Sequence, residues 1–381
     1  MKQLVLLGAG HAHVHVLRSL AQGRLPGIEI TLVAPHPHQL YSGMVPGFVA
    51  GHYTLDECRI ALDPLLARSS VRQLRAGAAG LDAAAQTVLL DNGQTLAYDW
   101  LSLNTGAVMD RGMIEAQMPG ARAHALFARP IEAFGLHWQR VVALGRQQAL
   151  HLAVVGAGAA GLELAMAAAH RLSRPDCAPG GRVTLLSGAQ APGAAYPTGA
   201  QRRIARALQR LRIEVIADTC AGMRQGEILL AGGQPLACDL PVLAVGAEAP
   251  AWLAGSGLAL DAAGFVAVNA FQQSTSHPAV FAAGDVASRV DAPHARSGVY
   301  AVRAGPPLLS NLRAAWQGRP LKPYRPQRRT LNLLSCGDRH AIAIWDGFSM
   351  EGAWVWRWKD RIDRNFLTRY AGQDRLLLRK E

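Results

Sequence analysis

The chain of 381 residues is long enough for two or three domains with sizeable cores. Half of its residues are hydrophobic and only 17% are charged, which excludes a disordered chain. Its five cysteines form no Cys-x-x-Cys pair, and their odd number favours a reducing compartment over a disulfide framework. The net charge of +12 is compatible with phosphate-bearing ligands, an anionic membrane or nucleic acid, and also with a general preference for arginine.

The first residues superficially resemble a signal peptide, with one lysine followed by an apolar run. That run leads directly into a glycine turn, and its removal would delete a strand that the first domain needs, so we expect a cytoplasmic protein. A second apolar stretch, residues 150–169, has the length of a membrane span. Its GAGAAG core and Glu163 predict a strand, a turn and a helix instead.

The beginning of the chain predicts a strand, a glycine turn and a helix. Lys2–Leu7 is an apolar run of strand length, and residues 14–20 have helical spacing. Between them, Gly8 and Gly10 meet two needs of a dinucleotide-binding turn, a tight bend and a close approach of the backbone to a pyrophosphate. His13 replaces the usual third glycine, so this fingerprint alone is weak.

Three histidines alternate after this turn and raise the question of a metal site. His11 and His15 are four residues apart and share a helix face, whereas His13 points roughly the opposite way. Glycines that bring backbone amides together suit an anion better than a cation. We therefore expect no metal here, and the alternatives are histidines that pack in the core and histidines that contact phosphate.

A second, intact fingerprint makes the first one significant. Gly156, Gly158 and Gly161 follow another apolar strand, and each fingerprint precedes a second apolar strand at residues 30–33 or 183–186. Two such units in one chain predict two bound dinucleotides.

Further on, two segments repeat each other and a third ends in a glycine and an acid. Residues 99–106 and 239–246 both consist of an acid, an apolar strand and a glycine ending. Residues 280–285 form an apolar strand that ends in Gly284 and Asp285, where a carboxylate can accept hydrogen bonds from sugar-like hydroxyls.

The order GAGHAH, Thr105-Gly106, GAGAAG, AVGAEAP and FAAGD resembles the pyridine nucleotide-disulfide oxidoreductase superfamily over residues 1–320. The resemblance implies an α/β fold with two three-layer Rossmann-like domains, as in glutathione reductase, and a small α+β C-terminal segment. It implies FAD in the first unit and NADH or NADPH in the second. The expected domains are 1–110 with 245–320 for FAD, 111–244 for NAD(P)H, and 321–381 as the C-terminal segment, which covers the flavin or contacts a second copy or a membrane.

The resemblance also implies which residues hold the nucleotides. FAD is expected at the first turn, at the loop of residues 41–47 that faces the flavin in the family, and at two glycine endings: Gly8, Gly10, His11, Ala12, Ser42, Gly43, Pro46, Thr105, Gly106, Gly284 and Asp285. The second unit is expected to hold its nucleotide at Gly156, Gly158 and Gly161, and Gly246 completes the set of cofactor-binding residues. Tyr41 either covers the flavin ring or packs in a turn.

Several features indicate which branch of the superfamily the chain resembles. The loop that carries the redox Cys-x4-Cys pair in disulfide reductases contains no cysteine here, and a buried structural thiol is the preferred interpretation of Cys336. The chain resembles type II NADH dehydrogenases. YSGMVPG, SGVYAVRAGPPLLSNLRA and WRWKDRIDRNF are similar to an oxidoreductase family found alone or fused ahead of selenide, water dikinase.

The sequence also departs from the family's pattern. In such folds an acidic residue after the second strand usually hydrogen-bonds the ribose hydroxyls. Here Ala34 and Ser187 stand at these positions, so the sequence does not decide between NADH and NADPH. Candidates for a 2′-phosphate contact, which compete with the interpretation as exposed helix arginines, are Arg182, Arg202 and Arg203. Gly298 and Val299 replace the Ala-Gln pair of the quinone site, which leaves the electron acceptor open, with a quinone as one candidate.

The resemblance implies a role for Glu163, because it matches a glutamate near the nicotinamide in type II NADH dehydrogenases, where it could hold the carboxamide. The alternative is a helix N-terminal carboxylate favoured by the dipole. Near the C-terminus, the tryptophans at 354, 356 and 358 alternate, which predicts a strand face before a helix over residues 360–370. This aromatic and basic segment suits a membrane interface, but a cover for the flavin or a dimer contact is favoured.

The sequence therefore predicts an FAD-dependent NAD(P)H oxidoreductase that passes hydride to flavin and on to a quinone-like or other acceptor without a redox disulfide. The alternatives are a sulfide- or selenide-type flavoprotein dehydrogenase and a non-catalytic flavin-binding partner in selenium metabolism. With only four lysines and no RNA-reading motif, no nucleic-acid partner is expected. A contact at the inner face of the membrane and a homodimer remain open.

Overall fold

The computed structural model describes residues 1–23 and 27–371. Its strands in chain order are β1 (Lys2–Leu7), β2 (Ile28–Val33), β3 (His38–Leu40), β4 (Arg59–Ala61), β5 (Val71–Leu74), β6 (Ala78–Asp82), β7 (Thr87–Leu90), β8 (Thr95–Ala97), β9 (Trp100–Leu103), β10 (Leu126–Phe127), β11 (His151–Val155), β12 (Arg182–Leu186), β13 (Glu214–Ile216), β14 (Cys220–Arg224), β15 (Glu227–Leu230), β16 (Pro235–Ala237), β17 (Leu240–Leu243), β18 (Val266–Val268), β19 (Val280–Ala282), β20 (Ala287–Arg289), β21 (Leu331–Ser335), β22 (Ala341–Trp345) and β23 (Phe348–Gly352). Its α-helices are α1 (His11–Gln22), α2 (Val45–Val49), α3 (Asp63–Leu66), α4 (Arg111–Gln117), α5 (Ala121–His124), α6 (Ile131–Gln147), α7 (Ala159–Leu172), α8 (Thr198–Arg210), α9 (Gly298–Trp316) and α10 (Ala353–Tyr370).

Two parallel five-stranded sheets form the centre of the molecule, as the two fingerprints predict. The first has the order β19-β9-β1-β2-β5 and the second β10-β17-β11-β12-β13. The strands that precede the two glycine turns, β1 and β11, lie inside their sheets, and their apolar side chains are buried. Each glycine turn therefore opens at the carboxyl edge of its sheet, where such folds bind ligands.

The repeated segments have matching structures. Asp99 accepts the backbone N–H of Gln3 at 2.6 Å, and Asp239 accepts that of His151 at 2.7 Å, so each acid fastens the first strand of its own unit. Each unit also carries a small antiparallel sheet, β6-β7-β8 or β14-β15-β16, with an irregularity in its first strand. The two units therefore share one architecture.

The prediction of a strand over Trp354, Trp356 and Trp358 is wrong, because helix α10 already begins at Ala353. The antiparallel sheet β21-β22-β23 ends one residue earlier, and Val355 packs against Ala341 and Ala343 of β22. Trp354 and Trp358 are four residues apart and share the exposed face of the helix. Residues 372–381 of the expected C-terminal segment lie outside the described residues.

The apolar stretch of residues 150–169 forms β11, the second glycine turn and most of α7, as predicted. Among residues 1–23 and 27–371, no helix is both long enough and apolar enough to cross a membrane.

Candidate flavin and nicotinamide nucleotide sites

A cavity of about 640 Å³ opens at the carboxyl edge of the first sheet. This volume lies in the usual range for small-molecule and cofactor sites. The following predicted flavin-binding residues line it: Gly8, Gly10, His11, Ser42, Thr105, Gly106, Gly284 and Asp285. Ala12, Gly43 and Pro46 are not among its lining residues. Tyr41 does not line the cavity either, although its ring contacts His11, which does. Gly246 follows β17 in the second sheet and is also absent from the lining.

Two buried polar atoms of this cavity's lining lack a hydrogen-bond partner among the described residues. They are Nε2 of His11 and Oγ1 of Thr105. Gly106 adopts a φ of +79°, and a Cβ atom there would meet nothing within 4 Å. Buried polar groups are normally satisfied, so the two atoms point to a polar ligand that supplies their partners. The lining therefore fits FAD, whose ribityl, phosphate and ring groups offer donors and acceptors.

Asp285 lies opposite an arginine that the sequence did not reveal. Arg129 directs one guanidinium nitrogen to the Ala107 carbonyl at 3.1 Å and the other to Asp285 at 3.5 Å. Both residues line the cavity. The arginine therefore partly compensates the charge of the Asp285 carboxylate at the cavity wall.

The N-terminus of α9 also faces the cavity. Ser297 and Gly298 line it, and the Ser297 side chain makes no capping bond to the helix. The first turn of α9 contains no acidic residue. The positive end of the helix dipole therefore favours electron-rich groups in the cavity. This end of the helix holds Gly298 and Val299, which replace the family's quinone-site pair.

The three alternating histidines have three different environments. The His13 imidazole lies 2.5 Å from the Gly8 carbonyl and 2.8 Å from the Ser102 hydroxyl, so it packs inside the turn. His11 contacts the rings of Tyr41 and Phe366, and burial lowers its pKa to about 4. His15 is half-buried on the next turn. Within the part of the chain that the structure describes, no three His, Cys, Asp or Glu side chains are grouped to hold a metal.

The second glycine turn is tight on its inner side and open on its outer side. A Cβ atom at Gly156 would lie 2.6 Å from the Ala244 carbonyl, and one at Gly161 would lie 1.8 Å from the Gly156 carbonyl. A Cβ atom at Gly158, which is the N-cap residue of α7, would meet nothing within 4 Å. The protein alone therefore does not require glycine at position 158, whereas a closely approaching pyrophosphate does.

Glu163 lies beyond the first turn of α7, which contains no acid, so the interpretation as a helix N-terminal carboxylate is not supported. Its carboxylate accepts the backbone N–H of Ser335 at 2.7 Å. Burial raises the pKa of Glu163 to about 7, although Lys359 and the Ser335 N–H act in the opposite direction. Its charge therefore changes in the neutral pH range.

A buried ion pair, which we name the α10 cluster, fastens α10 to the loop of residues 41–47. Lys359 donates to the Gly43 carbonyl at 2.6 Å and to the Asp363 carboxylate at 2.7 Å. Tyr41 donates to the same carboxylate at 3.0 Å and stacks on Phe366. Burial opposes the charged lysine, but the carboxylates of Asp363 and Glu163 outweigh it and raise the pKa of Lys359. Tyr41 thus contacts α10, and a role in covering the flavin stays a prediction.

All five cysteines are free and buried. Burial raises the pKa of the Cys336 thiol to about 12, as expected for a structural residue. Burial also raises the pKa of Cys58, the cysteine nearest in sequence to the loop of residues 41–47, to about 12. The thiols of Cys58 and Cys336 are therefore protonated at neutral pH and suit packing rather than redox exchange.

The three arginines that are candidates for a 2′-phosphate contact have different surroundings. Arg182 begins β12, at the opposite end of that strand from the nucleotide edge. Arg203 bonds Ser349 and Glu351 of β23, and Arg202 is exposed on α8. Arg182 and Arg203 are therefore poorly placed for a 2′-phosphate, Arg202 stays a prediction, and the choice between NADH and NADPH stays open.

The fold and the site define a two-dinucleotide flavoprotein of the oxidoreductase class. The sequence pattern of the family described as pyridine nucleotide-disulphide oxidoreductase matches residues 2–305. The chain belongs to this family, which confirms the resemblance and the fold class.

Curated relatives agree with this assignment. The ferredoxin–NAD(+) reductase component of the p-cumate 2,3-dioxygenase system of Pseudomonas putida is 28% identical over 76% of this chain and 68% of its own length. An NADH dehydrogenase-like protein of Mycobacterium tuberculosis is 25% identical over 77% of this chain and 75% of its own length.

Solved structures share the fold at low sequence identity. The sulfide:quinone oxidoreductase of Aquifex aeolicus has a TM-score of 0.79 and 16% identity over 97% of this chain and 91% of its own. NDH2 from Plasmodium falciparum, solved with NADH, has a TM-score of 0.74 and 12% identity over 98% of both chains.

Proposed function

We propose that the chain is an FAD-dependent NAD(P)H dehydrogenase, with FAD in the cavity of the first unit and the nicotinamide nucleotide at the second glycine turn. The proposal rests chiefly on His11 Nε2 and Thr105 Oγ1, two buried atoms without partners in the lining of the first cavity. The open glycine turn at Gly158 in the second unit adds to it. The relatives named as NADH dehydrogenase-like and as ferredoxin–NAD(+) reductase support the same class. Sheet membership supports residues 1–110 with 245–320 as the FAD domain and 111–244 as the second domain.

FAD, when bound, accepts the hydride and releases electrons singly or in pairs. The residues of this chain bind, orient and exclude water. The exposed N-terminus of α7 would hold the pyrophosphate of the nicotinamide nucleotide, and the second carboxylate oxygen of Glu163 would accept from its carboxamide. The α10 cluster would hold the loop of residues 41–47 against the flavin and keep bulk water away.

The outer face of α10 and the neighbouring hairpin suggest where the electron acceptor lies. Six large apolar side chains in this short segment are between 40% and 76% exposed: Trp345, Phe348, Met350, Trp354, Trp358 and Ile362. Arg357, Arg361 and Arg369 are exposed on the same helix. Aromatic residues interspersed with arginine suit the interface of an anionic bilayer. We therefore propose that this face, the aromatic–arginine face, contacts a membrane that contains a quinone-like acceptor.

Vesicle sedimentation tests the membrane contact. The protein is expected to sediment with vesicles that contain phosphatidylglycerol, and Trp354→Ser/Trp358→Ser should release it. Leu136→Ser/Leu144→Ser, which changes two exposed leucines of α6, serves as the matched control. Equal sedimentation of all variants would contradict the membrane proposal. Self-association that is lost with the tryptophans would instead favour a dimer contact.

A sulfide- or selenide-type dehydrogenase is the alternative. Sulfide:quinone oxidoreductases use cysteines near the flavin, whereas every cysteine here is a buried free thiol. This observation favours the nicotinamide nucleotide as donor.

Thr105→Val tests the flavin site. The Thr105 hydroxyl has no partner among the described residues, so its removal should leave the stability of the apoprotein unchanged. The affinity for FAD should fall about 2- to 10-fold, the value of one hydrogen bond. Thr95→Val on the exposed strand β8 is the control. Loss of apoprotein stability with unchanged FAD affinity would contradict the proposed site, and a wild-type protein that binds no FAD would refute it.

A further inference from the structure

Asn104 stands where three turns around the cavity meet. It follows β9, it is 2% exposed, and its backbone carbonyl accepts the N–H of Gly10 at 3.1 Å. A Cβ atom added at Gly8, Gly10 or Gly284 would lie between 2.5 and 2.7 Å from an atom of Asn104. At Gly8 the obstacle is the backbone of residue 104, whereas at Gly10 and Gly284 the Asn104 side chain itself leaves no room for a Cβ atom, in addition to any requirement of a ligand.

The side-chain amide of Asn104 uses both of its ends. Its oxygen accepts the backbone N–H groups of Ala12 at 3.1 Å and His13 at 3.0 Å, in the first turn of α1. Its nitrogen donates to the Ala283 carbonyl at 2.6 Å. Ala283 immediately precedes Gly284 and Asp285. The amide therefore joins the first turn of α1 to the turn that carries Asp285, and it does so without placing a negative charge at the helix N-terminus.

The second unit lacks this connection. Its corresponding residue is Ala244, whose carbonyl lies 2.6 Å from the Cβ position of Gly156, just as the Asn104 carbonyl lies 2.6 Å from that of Gly8. The close approach of α7 leaves room only for Gly161 at the position that His13 occupies in the first unit. Helix α1 must therefore stand farther from its turn than α7 does. The His13 ring and the Asn104 amide fill the space between them.

We infer that Asn104, supported by His13, is a positioning residue that lets the first unit keep FAD bound between turnovers. By fixing the helix N-terminus and Asp285 relative to each other, it lowers the cost of ordering both around the cofactor. The second unit has no such link and keeps an open turn for a nucleotide that enters and leaves at every cycle. The inference rests on the proposed FAD site and adds the residue that separates the two otherwise similar units.

The test compares the release of FAD from the purified holoprotein, followed by the rise in flavin fluorescence after dilution. Asn104→Ala breaks three buried hydrogen bonds and should weaken FAD binding about 10- to 100-fold, with a changed visible circular dichroism of the flavin. Asn92→Ala, on the exposed turn between β7 and β8, is the matched control and should change neither. Asn104→Ser, which removes the amide without adding a charge, is the second variant if Asn104→Ala does not fold, and it should weaken FAD binding in the same direction.

A double-mutant cycle separates positioning from general support of the fold. If Asn104 acts by holding Asp285, the Asn104 substitution should cost much less FAD affinity in an Asp285→Asn background. Independent, multiplicative losses would overturn the inference, as would unchanged FAD release or the failure of both Asn104 variants to fold. Failure of the proposed function is distinct, because the wild-type protein would then lack FAD.

Discussion

The α10 cluster gives a quantitative prediction. Lys359 and Asp363 have side chains only 11% and 6% exposed, and their charged atoms are 2.7 Å apart. Lys359→Met leaves the Asp363 carboxylate buried without its cation. Breaking a buried ion pair in this way costs about 3 to 5 kcal/mol. The free energy of unfolding, measured by urea titration with tryptophan fluorescence, should fall by that amount, whereas Lys322→Met at an exposed lysine should be neutral.

Neutralising the other partner should recover most of this loss. In Lys359→Met/Asp363→Asn the buried ion pair is removed as a whole, the asparagine oxygen still accepts from Tyr41, and the loss of the Lys359 cation raises the pKa of Glu163 further and favours its neutral form. The double variant should lose only about 1 kcal/mol, for the Gly43 carbonyl that lacks its donor. The single variant should also be least stable at high pH, because burial without a cation raises the folded pKa of Asp363 above its unfolded value. A single variant within 1 kcal/mol of wild type, or a double variant as unstable as the single, would refute the reasoning.

Three further predictions concern groups near the two sites. The affinity for NADH should increase as pH rises through about 7, because ionised Glu163 accepts from the carboxamide, and this dependence should disappear in Glu163→Gln; a dependence that survives the substitution contradicts the role. Zinc, nickel or iron should neither bind in stoichiometric amounts nor stabilise the protein, and one equivalent of metal that is lost in His11→Ala/His15→Ala would overturn this expectation. Cys336→Ala should leave flavin reduction unchanged, since the thiol is buried and protonated at neutral pH, and loss of reduction would restore a redox role for this cysteine.

Local patterns predicted the strands, the two glycine turns and their helices because each depends on neighbouring residues. Lys2–Leu7 and the run before Gly156 are apolar and end in glycine, and both form the expected strands. The prediction for the tryptophan segment was wrong because alternation over five residues also fits a helix that carries aromatic side chains on more than one face.

The site residues that the sequence did not indicate make contacts with residues far away in the chain. Asn104 contacts residues 91 positions before it and 179 positions after it, and Lys359 contacts a loop 316 residues away. Such contacts depend on how α1, α9 and α10 pack around the first sheet, which spacing alone does not indicate. The asparagine before Thr105, where the second unit has alanine, was the single available signal.

Anaerobic stopped-flow mixing of the flavin-loaded protein with NADH, and separately with NADPH, tests the central claim most directly. Flavin absorbance should be lost with one or both nucleotides and should return when an artificial quinone is added. Gly158→Val should block the reduction while FAD stays bound, because the protein leaves that position open and only an approaching pyrophosphate would meet the new side chain. If neither nucleotide reduces the bound flavin, the second unit does not serve a nicotinamide donor, and the proposed dehydrogenase activity is wrong.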